Sequence, residues 1–258
     1  MKTPDQYRMK TNTDQQIKRT IAIGDIHGGL RALVELLEEI RITPEDTLIF
    51  LGDYVDGWKD SANVVSYLIE LAKQNTCIFL RGNHDDLTYR WLKTGELNEQ
   101  WLQHGGQSSI DAYRSFTTEE IKNHLDFYQQ MLNYYIDKQN RLFVHAGFTN
   151  LHGPEQEYYE SGFYWDRTLW ETALSLDQSM PITHKFYPAR LKLFKEIYIG
   201  HTPVSRIDEE NPVNMANVWN VDTGAAFKGK LSGIDVDSKK VWQSQPVYKL
   251  YPSEAGRN

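Results

Sequence analysis

The sequence is poor in cysteine, in net positive charge and in long apolar runs, and each shortage excludes a class of protein. One cysteine, Cys77, in 258 residues permits no intramolecular disulfide. The fold must therefore rest on a core, as suits a reducing compartment. Lys and Arg number 28 against 35 Asp and Glu, a formal net charge of −7. A dedicated nucleic-acid binder carries a basic surface, so no nucleic-acid partner is expected. No run reaches the ~20 apolar residues of a membrane helix, and the polar start of the chain lacks the apolar stretch of a secretory signal. The expectation is a soluble, cytoplasmic protein with no membrane partner. There is no internal repeat and no low-complexity tract.

Against these shortages stands an ordinary globular composition, 40% hydrophobic and 24% charged. Residues 1–18 read as a flexible polar extension. After it, short apolar runs stop at polar clusters. Thr20-Ile21-Ala22-Ile23 leads to Gly24-Asp25, and Leu48-Ile49-Phe50-Leu51 leads to Gly52-Asp53. Cys77-Ile78-Phe79-Leu80 leads to Arg81-Gly82-Asn83-His84, Leu142-Phe143-Val144 to His145, and Ile197-Tyr198-Ile199 to Gly200-His201. Continuous apolar runs of this length predict strands buried on both faces, with Cys77 a buried thiol.

Between the first three runs lie amphipathic helices. One presents Leu30, Leu33, Val34, Leu37 and Ile40 on a single face; the next presents Val64, Val65, Leu68, Ile69 and Leu71. Strand–helix–strand order predicts parallel pairing, with ligands gathering at the carboxyl ends of the strands. Further helices are expected at 87–92, 107–113, 119–131 and 167–176. Strands at 217–221, 230–236 and from 241 onward, joined by short turns, predict antiparallel pairing. Because the polar clusters span positions 25 to 201, residues 19–258 read as a single domain.

The strand ends present Asp25, His27, Asp53, Asn83, His145 and His201. Two carboxylates, one amide and three imidazoles without a thiolate suit divalent ions such as Mn, Fe or Zn. Six protein ligands are too many for one catalytic ion and suit two ions ~3.5–4 Å apart sharing a carboxylate. Taken singly, each cluster also reads as a turn, a helix cap or a core histidine; the joint pattern carries the signal. Trp58, Trp165 and Trp170 lie near these motifs, either as packing or as the lining of a substrate groove. Asp222 is a candidate partner for a metal histidine.

The set GDIHG (24–28), GDYVDG (52–57), GNHD (82–85), His145-Ala146-Gly147 and Gly200-His201-Thr202 resembles the calcineurin-like metallophosphoesterases. Within them it is most similar to the bacterial and phage-lambda-type branch of the serine/threonine phosphoprotein phosphatases. Further markers are Trp101-Leu102-Gln103-His104-Gly105-Gly106 with Ser109 and Tyr113, then Trp165-Asp166-Arg167, then 221–227. The resemblance covers 21–236. It implies an α/β fold: a four-layer αββα sandwich of two mixed β-sheets flanked by helices, with metals at the rim.

By the same resemblance, Asp25, His27 and a bridging Asp53 hold one ion, while Asp53, Asn83, His145 and His201 hold a second. The implied cofactors are two divalent metal ions, manganese foremost, with iron, zinc, nickel or cobalt as other occupants. A metal-bridging hydroxide would attack phosphorus in line. His84 would protonate the leaving group, Asp56 would orient that imidazole, and Arg167 would fork onto phosphate oxygens. The implied activity is a phosphomonoesterase, foremost a serine/threonine protein phosphatase. A hydrolase of small phosphate compounds such as dinucleoside polyphosphates is the alternative. A catalytically silent metal-containing scaffold is a third reading, opposed by the retention of His84 and Asp56.

Two departures bear on substrate. Asp56-Gly57-Trp58 stands where the family has Asp-Arg-Gly, which removes a phosphate-clamping arginine and leaves Lys59 as a nearby point charge. Asp85 follows His84 where protein phosphatases commonly carry Glu and diadenosine-tetraphosphate hydrolases carry Asp.

Overall fold

The computed structural model describes residues 18–257, so the expected extension at 1–18 lies outside them apart from its last residue. The apolar runs form the strands β1 (Thr20–Ile23), β2 (Thr47–Phe50) and β3 (Thr76–Phe79), which pair in parallel. The crossovers are α1 (Leu30–Ile40) and α2 (Ser61–Leu71). A third helix, α3, runs Asn83–Thr94 directly off the end of β3. The second sheet starts from β4 (Tyr134–Ile136) and β5 (Arg141–Val144), then β6 (Glu196–Ile199), β7 (Val213–Met215) and β8 (Val218–Asn220). Strands β9 (Ser232–Asp235) and β10 (Val241–Gln243) return to the first sheet. The orders are β10-β9-β1-β2-β3 and β4-β5-β6-β8-β7, both mixed.

Strand periodicity explains the layering, because successive side chains point to opposite faces. Ile21, Ile23, Leu48 and Phe50 face outward onto Leu33, Leu36 and Ile40 of α1 and Val64, Val65 and Leu68 of α2. The alternate residues Ala22, Ile49 and Leu51 face inward, meeting Phe143 and Tyr198 of the second sheet. That sheet turns Leu142, Val144, Ile197 and Ile199 outward onto Leu169, Trp170 and Ala173 of the helix Thr168–Ser175. Helix, sheet, sheet and helix therefore stack in four layers. No described helix is long and apolar enough to cross a membrane.

Several sequence expectations change in detail. The strand at Cys77 is not buried on both faces: β3 is an edge strand, and Cys77 is half-buried with its thiol pushed up to about 12 by that burial. Helix α1 buries Ala32 and Leu36 rather than Val34. Of the C-terminal strands expected to pair antiparallel, β9 and β10 do so, whereas β8 lies in the other sheet, parallel to β6 and antiparallel to β7. The strands β4 and β7, each three residues long, are too short to be seen beforehand.

Candidate active site

Because β1, β2, β3, β5 and β6 end at one rim, the loops that follow them bring their polar residues together. Backbone bonds lock the first two loops: Ile26 N–H and His27 N–H both donate to Asp53 O, at 3.0 and 2.9 Å. The Asp85 carboxylate is the organising acceptor at the third. It takes the N–H of Asp53 at 2.7 Å, Tyr54 at 2.9 Å and Gly82 at 2.8 Å. A side chain at Gly82 is excluded, since a Cβ there would lie 2.1 Å from Asp53 Oδ1. His27, Asp53, Asp56 and His201 all adopt positive φ, between 50° and 70°. That left-handed backbone is costly for residues with a Cβ and persists only where surroundings over-determine it.

The six expected donors converge. His27 Nδ1 lies 3.1 Å from Val55 O and 3.0 Å from Asp56 O, which fixes it as the N–H and turns Nε2 toward the carboxylates. His27 Nε2 stands 3.5 Å from Asp53 Oδ2 and 3.9 Å from Asp25 Oδ2. His145 repeats the device, donating Nδ1–H to Leu51 O at 2.8 Å while Nε2 lies 3.4 Å from Asp53 Oδ2. Asn83 Oδ1 is 3.3 Å from His145 Nε2 and 2.9 Å from His201 Nδ1. The carboxylate of Asp25 accepts the His201 N–H. Carbonyl-anchored imidazoles of this kind present one free nitrogen, as metal ligation needs.

Two observations show that the residues fit divalent cations. His201 Nε2 is buried with no hydrogen-bond partner. The carboxylates of Asp25, Asp53, Asp85 and Asp222 are also buried together. Burial and the Asp222 charge raise Asp25 well above the usual range; burial moves Asp85 to about 7 and Asp222 to about 6. Burial also opposes the charge of Asp53, but the imidazoles of His145 and His84 overcome it and hold its pKa low. Burial keeps His27 and His201 neutral, the form that ligates. Asp53 shares its donor atoms with two groups, His27 and His84 on one side and His145 and His201 on the other, each within 4.8 Å.

His84, the expected proton donor, is the second residue of α3 and sets its N–H on Asp53 Oδ1 at 2.9 Å. Its Nδ1 meets Asp56 Oδ2 at 2.6 Å. Asp56 is fully buried and held by Trp101 Nε1 at 2.5 Å and Ser109 Oγ at 2.5 Å. Trp101 and Ser109 were legible only as motif markers; their work is to aim this carboxylate. Arg167 is exposed, close enough to lower the His201 pKa by its charge. Trp165, 45% exposed, sets its ring edge-on to His201 with centroids 6.3 Å apart. Trp58 and Trp170 are buried packing, not groove lining. Lys59 pairs with Glu254 at 3.3 Å. Asp222 accepts the Gly224 N–H at 2.9 Å rather than bonding a histidine.

Two mixed sheets whose rim loops gather five O and N donor residues around the carboxylate of Asp53 have the build of a metallophosphoesterase. The chain belongs to the calcineurin-like phosphoesterases, whose family profile matches residues 18–227. Among its relatives are a bis(5'-nucleosyl)-tetraphosphatase of Oceanobacillus iheyensis, 25% identical over 84% of this chain and 88% of that protein. A serine/threonine-protein phosphatase 1 of Salmonella typhimurium is 26% identical over 81% and 88%. In fold, the chain superposes on a crystal structure bearing the name "putative diadenosine tetraphosphatase" with a TM-score of 0.60 at 19% identity, covering 89% of this chain and 94% of that one. A serine/threonine phosphatase of Saccharomyces cerevisiae also gives 0.60, at 12% identity, covering 91% and 82%.

Proposed function

We propose that the chain is a two-metal phosphomonoesterase acting foremost on serine/threonine phosphoproteins. The observation that carries the chemistry is the convergence of Asp25, His27, Asn83, His145 and His201 on Asp53, with the His84–Asp56 pair beside them. Asp25, His27 and Asp53 would hold one ion; Asp53, Asn83, His145 and His201 would hold the other. A pair of divalent cations supplies Lewis acidity, activating water at neutral pH and offsetting phosphoryl charge. The all-O/N donor set suits manganese or iron.

The protein's own groups supply the rest. Asp56 keeps the His84 Nδ1–H in place, so the ring's other nitrogen carries the proton delivered to the departing alkoxide. The backbone N–H of His84 on Asp53 ties that donor to the bridging carboxylate, so ring and donor cluster move as one unit. Arg167, exposed and with its charge reaching His201, would meet phosphate oxygens as a planar fork.

Trp165 and Arg167 are both exposed, which leaves this side of the site an open surface. An open surface admits a phosphorylated side chain on a protein, whereas small compounds are ordinarily enclosed. The second reading, hydrolysis of a dinucleoside polyphosphate, is favoured by the free face of Trp165 as a platform for a base. A panel of metal-loaded protein against phosphopeptides and diadenosine tetraphosphate separates the two. A tenfold preference in kcat/KM for the nucleotide, lost in Trp165→Ala, overturns the phosphoprotein assignment. An aryl phosphate that His84→Asn and wild type leave equally untouched overturns the enzyme reading.

A further inference from the structure

The loop that follows β2 carries no arginine, yet a guanidinium stands over it. We propose that Arg257 is a phosphate-binding residue of this site, delivered by the segment beyond the helix Val247–Leu250. Its Nη1 lies 3.3 Å from His27 Nε2, the nitrogen turned toward Asp53 and Asp25. Its Nε is buried and makes no hydrogen bond. Among the described residues no carboxylate forms an ion pair with it. The Arg257 charge also acts on buried Asp222; once cations offset the acids of the cluster and His27 Nε2 ligates, the buried Nε and the released Nη1 are left for an anion, and the planar fork matches phosphate oxygens.

The backbone shows that the arrangement is built. Gly57 has φ +116°, and a Cβ there would sit 3.2 Å from Arg257 Cγ and 3.3 Å from His27 O. A side chain at this position would be strained by that φ and would crowd the passing Arg257 stem. Gly105 opens the other flank: a Cβ there would approach Arg257 Cγ to 3.1 Å. The segment is fastened at several points. Arg257 N–H donates to Ala226 O at 2.9 Å, and its guanidinium lies 5.4 Å from the Phe227 ring centre. Tyr251 stacks on Trp58 at 5.3 Å and donates to Asp60 at 2.8 Å, while Glu254 accepts the Lys59 N–H at 2.9 Å. Arg257 thus stands beside His27, while the charge of Arg167 reaches His201.

This inference rests on the phosphatase reading, and the test separates them. Inorganic phosphate is titrated into metal-loaded wild type, Arg257→Ala and Arg257→Lys by calorimetry, alongside metal content and steady-state kinetics with p-nitrophenyl phosphate. The expected result is a phosphate Kd and a KM raised about ten- to a hundredfold in Arg257→Ala. Arg257→Lys should recover only part of that loss, and both variants should keep two ions per chain. Unchanged phosphate affinity in Arg257→Ala overturns the proposal. So does a loss that tracks lost metal in both variants, which would make the contact structural. Wild type that binds metal and phosphate but hydrolyses no ester overturns the phosphatase reading and leaves this one standing.

Discussion

Replacing Asp56 by Asn isolates the charge placed behind His84. Oδ2 of Asp56 accepts from His84 Nδ1 at 2.6 Å and from Trp101 Nε1 at 2.5 Å. Oδ1 accepts from the hydroxyls of Ser109 at 2.5 Å and Thr88 at 3.4 Å. An indole N–H can only donate, so the carbonyl oxygen of Asn must remain on the His84 side. The new amide then faces two hydroxyls, which can turn to accept. Shape and hydrogen-bond count survive while the charge is lost. A charge-assisted bond is about twice as strong as a neutral one, so keeping the bond while losing the charge costs about 1–1.5 kcal/mol. That corresponds to about five- to tenfold in rate.

The loss must also depend on the leaving group. p-Nitrophenolate departs with little need of a proton, whereas the alkoxide from an alkyl phosphate needs one. Steady-state kcat for both substrates, on protein of verified metal content, is the assay. The expected pattern is a change of at most a few-fold with p-nitrophenyl phosphate and the full loss with phosphoserine peptide. Equal losses on both substrates would refute the proton-donor role, as would wild-type rates on both.

Two further changes probe the frame around the site. Gly82→Ala drives a methyl group into the Asp53 carboxylate and backbone N–H, at 2.1 and 2.3 Å. Overpacking of this kind costs about 1–3 kcal/mol; the melting temperature should fall by several degrees and metal content by more than half. Buried His124 sits between Tyr113 Oη at 2.9 Å and Ser66 Oγ at 3.0 Å, and burial lowers its pKa to about 4. The unfolded chain, near pH 6.5, takes up that proton first. Its stabilising contribution is therefore complete above about pH 6.5 and lost as pH falls toward 4, by about 3 kcal/mol. His124→Gln should flatten urea-unfolding stability over that window relative to wild type; identical pH slopes would contradict the assignment.

The apolar runs made the central strands legible, because each is three or four residues long, holds a β-branched residue and is closed by a polar cluster. The donors at their ends were legible for the same reason: a strand end fixes where a side chain goes. What the chain concealed is what depends on distant packing. Whether Cys77 lies in the middle or at the edge of a sheet is decided by the strands beside it, not by its own neighbours. Trp101 and Ser109 meet Asp56 across 45 and 53 residues, through helices whose own pattern says only that they are helices. Asp85 read as a substrate marker, yet its geometry is that of an acceptor joining two loops through three N–H groups. Arg257 reaches His27 across 230 residues, and no local signal announces such a contact.

The most direct test is the anomalous diffraction of a crystal grown with manganese. The account predicts two peaks about 3.5–4 Å apart on either side of the Asp53 carboxylate. One should be bounded by Asp25 and His27, the other by Asn83, His145 and His201. A single peak, peaks remote from Asp53, or no metal at this rim would contradict it.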